Sequence, residues 1–114
     1  MRIYHYTEMP EAAIGSEAPG SKKRKLNDVE SSVSTAMIEV TPGGHTLRHR
    51  HPYEHTMYIV EGTGEVRDEN GTSLLGSGVL IYLRPDELHE IVNTGTKLLR
   101  FLTIEPTQKK EEKK

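Results

Sequence analysis

Gly43-Gly44-His45-Thr46-Leu47-Arg48-His49-Arg50-His51-Pro52-Tyr53-Glu54-His55-Thr56-Met57-Tyr58-Ile59-Val60-Glu61-Gly62 is the stretch on which the reading of this chain turns. His49 and His51 stand one residue apart, and His55 follows after Pro52-Tyr53-Glu54. Side chains alternate between the two faces of a β-strand, so two imidazoles at this spacing project into one space. His55 keeps the same parity if the strand runs on, although Pro52 predicts a bend. By itself an H-x-H pair reads equally well as two exposed strand histidines. A third histidine so close by, and His89 opening a distant β segment that a barrel can bring near, turn the reading towards a metal site. Imidazole is the commonest nitrogen ligand and suits zinc, copper, iron and nickel. His5 and His45 fall outside this pattern and read as surface or pocket-rim residues.

Working outwards, the chain from Ser34 onward reads as short β segments separated by turn residues. Thr35 to Thr41 is rich in β-formers and stops at Pro42-Gly43-Gly44, and Thr56 to Glu61 stops at Gly62. Gly64 to Arg67 leads to Glu69-Asn70-Gly71, where Asn-Gly supplies the positive φ of a tight hairpin. Val79 to Leu83, Leu88 to Val92 and Leu98 to Ile104 complete the series, which closes at Pro106. Segments at near-regular spacing, without helical periodicity, predict an all-β sandwich or closed barrel. Glycines between them mark corners where only a residue without Cβ fits.

The flanks read differently. Residues 1–34 predict an N-terminal arm: an edge strand at Ile3 to Tyr6, then a loop broken by Pro10, Gly15, Pro19 and Gly20. Lys22-Lys23-Arg24-Lys25 resembles an import signal or phosphate-binding patch, and also reads as a solvated loop, the reading adopted here. Residues 35–106 form the single barrel domain. Residues 107–114, almost entirely Lys and Glu beyond Gln108, read as a disordered charged tail.

Composition narrows the function classes. At 114 residues the chain has room for one domain, and 33% hydrophobic content predicts a modest core that a metal or a second subunit would help to stabilise. A net charge of −2 argues against nucleic acid as a partner. There is no cysteine, so a metal must be held by imidazole, carboxylate or backbone oxygen. No stretch approaches the roughly 18 apolar residues of a membrane span, and the opening residues lack the apolar run of a signal peptide. The expectation is a soluble, cytoplasmic protein with no membrane partner.

At this point the residues resemble a known family. Gly43 to Gly62, read as G-x5-H-x-H-x3-H-x6-G, is similar to the first motif of the cupins, usually G-x5-H-x-H-x3,4-E-x6-G. Gly78 to Asn93 is similar to the second, G-x5-P-x-G-x2-H-x3-N, with Gly78, His89 and Asn93 in register. The resemblance implies a cupin jelly-roll β-barrel with one divalent first-row metal (Mn, Fe, Ni, Cu or Zn) held inside one mouth by His49, His51, His55 and His89. The chain departs from the pattern at three positions. His55 replaces the glutamate, Arg84 replaces the proline with Pro85 one place later, and Asp86 replaces the glycine.

The His55 difference bears on chemistry. Three imidazoles and a carboxylate leave a divalent ion with about one positive charge, whereas four neutral imidazoles leave about two. Such a site is the stronger Lewis acid and the better anchor for an anionic oxygen. Small cupins with a tetra-histidine site are similar to this chain, and oxidative activities among them imply a metal-dependent oxidoreductase, dioxygenase-like, acting on a small organic molecule. The alternatives are a non-redox Lewis-acid isomerase or decarboxylase of a keto or sugar acid, and a non-catalytic small-ligand binder. Tyr53, Glu54, Tyr82 and Glu87 are weak candidates for moving protons near the mouth, and each reads first as an ordinary strand or loop residue. Met57, Ile59, Ile91 and Phe101 are candidates for an apolar pocket wall, a pattern that core packing also explains.

The last strand adds an expectation about assembly. Leu98, Leu102 and Ile104 take one face and Leu99 and Phe101 the other, so both faces carry apolar side chains. A strand apolar on both faces is generally buried on both, which predicts a homodimer packed through the outer sheet.

Overall fold

β-Formers grouped between turn residues produce nine strands in the computed structural model, which describes residues 1–27 and 30–108. They are β1 (Glu11–Ala13), β2 (Ser21–Lys25), β3 (Val33–Val40), β4 (His55–Glu61), β5 (Gly64–Arg67), β6 (Thr72–Leu75), β7 (Leu80–Leu83), β8 (Glu90–Val92) and β9 (Leu99–Pro106). A six-stranded sheet in the order β1-β2-β3-β9-β4-β7 faces a three-stranded sheet in the order β6-β5-β8. Neighbouring strands run antiparallel throughout. The result is the all-β jelly-roll barrel that the resemblance implies. Among the described residues no helix is long and apolar enough to cross a membrane.

Register decides what faces inwards. Ile38 pairs with Phe101 and Phe101 with Ile59, while Ala36 pairs with Thr103 and Thr103 with Met57. These rows lie on the inner face, where Val40, Met57, Ile59, Leu75, Leu83, Ile91, Leu99 and Phe101 form one core. The alternation expected for the last strand holds: Leu99, Phe101 and Thr103 are buried, and Ile104 faces outwards. At the opposite end of the barrel from the histidines, Gly62 adopts φ 92°, and a Cβ there would run into the backbone of Leu98 and Leu99. That closure requires glycine.

Two expectations about the flanks change. The Lys22–Lys25 run is not a loop: with Ser21 it forms β2, paired residue for residue with Ala36 to Val40. The physical reason is tertiary. β3 offers a row of unpaired backbone groups along its free side, and satisfying that row outweighs the weak strand preference of lysine. Alternation then disposes of the charges. Lys22 and Arg24 point outwards to Glu11 on β1, 3.2 and 3.1 Å away. Lys23 points towards the mouth of the barrel. Ile3 to Tyr6, expected as an edge strand, instead leads into a 3-10 turn at Tyr6–Glu8, and the sheet edge is β1. At the other end, Thr107 donates from its backbone N–H and its hydroxyl to the carbonyls of Ser32 and Ser31. The rest of the charged tail, from residue 109, lies outside the described residues.

The departures at residues 84–86 form a coherent turn. Glu87 N–H donates to the Arg84 carbonyl at 3.3 Å across Pro85 and Asp86. Asp86 takes φ 66°, the positive value that the third position of a type II turn demands. Aspartate tolerates this region better than most residues, so it can stand where the motif has glycine. Pro85 supplies the second position, which fixes the missing-proline question by a shift of one residue.

Candidate metal centre

His49 and His89 sit opposite each other in an antiparallel bridge. Each N–H donates to the other's carbonyl, at 3.1 and 3.0 Å, so the two side chains leave from the same side of the backbone. Three residues earlier, Thr46 N–H donates to the Ile91 carbonyl, and Ile91 N–H donates back to the Thr46 hydroxyl. This pinned segment is not a regular strand. His51 follows it in irregular backbone anchored by Asp86 N–H donating to the His51 carbonyl at 2.8 Å. His55 opens β4 on its inward face.

The four rings converge. Ring centroids lie 4.8 Å apart for His49 and His89, 5.1 Å for His51 with either of them, 5.2 Å for His51 and His55, and 5.9 Å for His55 and His89. Tyr53 stacks on the outer side of His51 at 4.3 Å and 9°. Histidines brought from three segments therefore share one small space, as the sequence predicts.

Burial favours the neutral form of three of these rings, His49, His55 and His89. Burial, reinforced by neighbouring imidazoles, pushes His49 and His55 down from 6.5 to about 4. Burial also lowers His89, against the Glu87 carbonyl that favours its protonated form. A neutral imidazole carries one N–H and one lone pair. His89 Nδ1 lies 2.9 Å from the Glu87 carbonyl and His51 Nδ1 lies 3.3 Å from the Tyr53 carbonyl. A carbonyl oxygen only accepts, so Nδ1 is the protonated atom in both rings and Nε2 offers its lone pair.

His55 is the exception that identifies the site. Both of its ring nitrogens are buried without a hydrogen-bond partner. Its Nε2 lies 3.9 Å from Glu105 Oε2, beyond hydrogen-bond reach, and a ring that is neutral at pH 7 forms no ion pair there. An unsatisfied buried polar group costs about 1–3 kcal/mol, and the structure gives this ring no protein partner that would recover it. A cation at the centre of the four rings would. The candidate ligand atoms of His49, His51 and His89 all lie within 4.8 Å of one another, as do those of His51, His55 and Glu105. Adjacent ligands at metal–nitrogen distances of about 2.0–2.1 Å stand about 3–3.4 Å apart, so a bound ion would draw these donors inwards. The residues fit a metal ion.

The remaining predicted residues divide. The cavity at the histidines has a volume of about 190 Å³. Met57, Ile91, Phe101 and Tyr53 line it, whereas Ile59 is wholly buried in the core and does not. Glu54 and Tyr82 pair with each other on the exterior, the phenol donating to the carboxylate at 2.9 Å. Glu87 acts through its backbone carbonyl on His89, while its side chain accepts from Arg84 N–H. None of these three lines the cavity. Sequence reasoning missed Glu105 and Lys23, which do. Glu105 shares the period-2 parity of Leu99, Phe101 and Thr103, so alternation along β9 points to it. Lys23 carried no such signal, because its placement depends on a strand pairing that a basic run does not announce.

A model of the cupin domain matches residues 36–105. A comparison with curated proteins returns no match. Among solved structures, the polyketide cyclase RemF from Streptomyces resistomycificus superposes with a TM-score of 0.86 at 28% identity, over 95% of this chain and 80% of that one. A predicted oxalate decarboxylase from Thermotoga maritima gives 0.83 at 22% identity, over 94% and 100%. A cupin-superfamily sugar phosphate isomerase from Silicibacter pomeroyi gives 0.85 at 17% identity, over 94% and 76%. The last two likenesses are of fold alone.

Proposed function

The chain belongs to the cupin family, and from that premise we propose that it is a non-redox metalloenzyme acting on a small carbonyl-bearing molecule. His49, His51, His55 and His89 would hold one divalent first-row ion. When bound, that ion supplies Lewis acidity towards a carbonyl or enolate oxygen. The observation that carries the reading is the partnerless, buried His55 ring among lone pairs turned inwards by the Tyr53 and Glu87 carbonyls.

The chain's own groups support proton movement over electron transfer. Glu105 and Tyr53 both line the cavity, and burial together with the nearby Glu105 charge raises the Tyr53 phenol pKa. A carboxylate and a phenol that stays protonated are an acceptor and a donor side by side in one cavity. Met57, Ile91 and Phe101 exclude water from the apolar side. The name of the neighbour that is 28% identical, a polyketide cyclase, adds weight to this reading over the dioxygenase-like one.

The test is elemental analysis of protein purified without added metal, beside a His49→Ala/His89→Ala variant. About one equivalent of a first-row metal, lost in the variant, is expected. Absence of metal, and no uptake on titration with manganese, iron, nickel, copper or zinc, would overturn the metal reading. Turnover by the zinc form supports Lewis-acid chemistry, and activity confined to redox-active metals would favour the oxygenase.

The outer sheet face supports the dimer. Leu102 pairs with Tyr58 and Tyr58 with Leu80, and one register step away Ile104 pairs with Thr56 and Thr56 with Tyr82. Leu80 is 60% and Tyr82 53% exposed, so the adjoining rows form a continuous apolar patch. A second copy packed on this patch would cover it.

A further inference from the structure

Lys23 is placed unlike Lys22 and Arg24 on its strand. It pairs in register with Ala12 on β1 and Ile38 on β3, and Ile38 continues to Phe101 and Ile59. That row runs along the inner face from the core out to the mouth, where Lys23 is half-buried. Lys22 and Arg24, on the outer face, are both paired with Glu11. Among the described residues the Lys23 ammonium has no carboxylate within ion-pair distance, although Glu105 lines the same cavity. A partly desolvated ammonium without a counter-charge is costly to hold, and a ligand anion would offset that cost.

The surroundings indicate what such a ligand looks like. Lys23 and Ile14 border two hollows at once: the histidine cavity and a groove of about 580 Å³ along β1. Tyr4, Met9, Pro10 and Ala12 give the groove apolar walls. Among the described residues its charged lining is Arg2, Lys23 and Lys25, with no carboxylate. The histidine cavity alone holds the volume of about six water molecules, enough for the reacting end of a small molecule and no more. An apolar body therefore needs the groove, and Lys23 stands between the two.

We propose that Lys23 anchors the carboxylate of the substrate, an apolar organic acid whose reacting oxygen meets the four imidazoles and whose body lies along β1. This rests on the enzymatic reading of the histidine site and specifies its substrate class. Lys23 is a specificity residue in this proposal, chosen by charge.

The probe is 3-hydroxy-2-naphthoate, a fluorescent apolar acid, compared with its neutral carboxamide on zinc-loaded and metal-free protein. The native chain should bind the acid at least tenfold more tightly than the amide. Lys23→Met should remove that preference, Lys23→Arg should keep it, and Lys22→Met on the opposite face should match the native chain. Zinc content and circular dichroism on every sample confirm that each variant is folded and loaded. Equal binding of acid and amide by the native chain, no binding of the acid at millimolar concentration, or an unchanged preference in Lys23→Met would each overturn the proposal. One zinc per chain with an unchanged Lys23→Met sinks the anchor and leaves the metal site standing. A Lys23-dependent preference in a chain that takes up no metal does the reverse.

Discussion

Acidifying the metal-free protein should unfold it through the histidine cluster. In the folded chain burial and mutual proximity hold His49 and His55 neutral down to about pH 4, against 6.5 for the free side chain. Between those limits the unfolded chain binds more protons, so stability falls as pH falls. The contribution is complete above pH 6.5 and gone below about 4. A shift of this size converts, at about 1.4 kcal/mol per pH unit, to about 3 kcal/mol for the buried His55. The half-exposed His49 is screened by water and adds roughly 1 kcal/mol. The sum of about 4 kcal/mol compares with a typical domain stability of 5–15 kcal/mol, so the metal-free chain should be near its unfolding threshold by pH 4. Near pH 5 the slope is about 1.6 kcal/mol per pH unit, most of it from His55. Urea unfolding of chelator-treated protein, followed by circular dichroism because the chain has no tryptophan, measures it. A His49→Gln/His55→Gln variant isolates these groups from the carboxylates, and saturating zinc should move the fall to lower pH because protons must then displace the metal. Stability that stays constant within about 1 kcal/mol between pH 7 and 5, or a double variant that keeps the full slope, would refute the reasoning.

Asn93→Ala should cost about 3 kcal/mol, because the buried amide donates to the Val40 and Lys97 carbonyls, both at 2.8 Å, and accepts from Gly95 N–H. Urea unfolding at pH 7 checks it, and a loss under 1 kcal/mol would mean that water replaces those bonds. Light scattering on the native chain at tens of micromolar should give about twice the 12.8 kDa monomer mass, and Tyr58→Lys/Leu80→Lys should give the monomer. A native monomer at that concentration would dismiss the outer-face dimer.

The barrel and the four-histidine cluster were legible in the sequence because both depend on local spacing. His49, His51 and His55 lie within one short stretch, and alternation in β9 separates Leu99 and Phe101 from Ile104 without any tertiary knowledge. Residues whose placement depends on a distant partner were not legible. Lys23 faces the cavity only because β2 pairs with β3, and the pairing is driven by backbone groups of β3 that no side-chain pattern in Lys22–Lys25 reports. Tyr82 and Glu54 fail for a related reason. Tyr82 pairs in register with Thr56, next to His55. Alternation nonetheless sends it to the exterior, where it meets Glu54. Proximity along the chain to a ligand is not proximity in space.

The His55 position then takes on a different meaning from the one its motif gives. Where the family pattern has a carboxylate, this chain has a neutral ring, yet the cavity has not lost its negative charge. Glu105 on the neighbouring strand sets its Oε2 3.9 Å from His55 Nε2. Glu105 is itself a candidate ligand beside His51 and His55, so a carboxylate still reaches the site, from β9 instead of from position 55. The exchange of glutamate for histidine thus moves the charge by one strand, to Glu105. With a divalent ion bound, Lys23 and Glu105 would leave the cavity with about two positive charges. That excess would favour an anion, and the proposed anchor Lys23, at the junction of the cavity and the β1 groove, would set where its carboxylate sits.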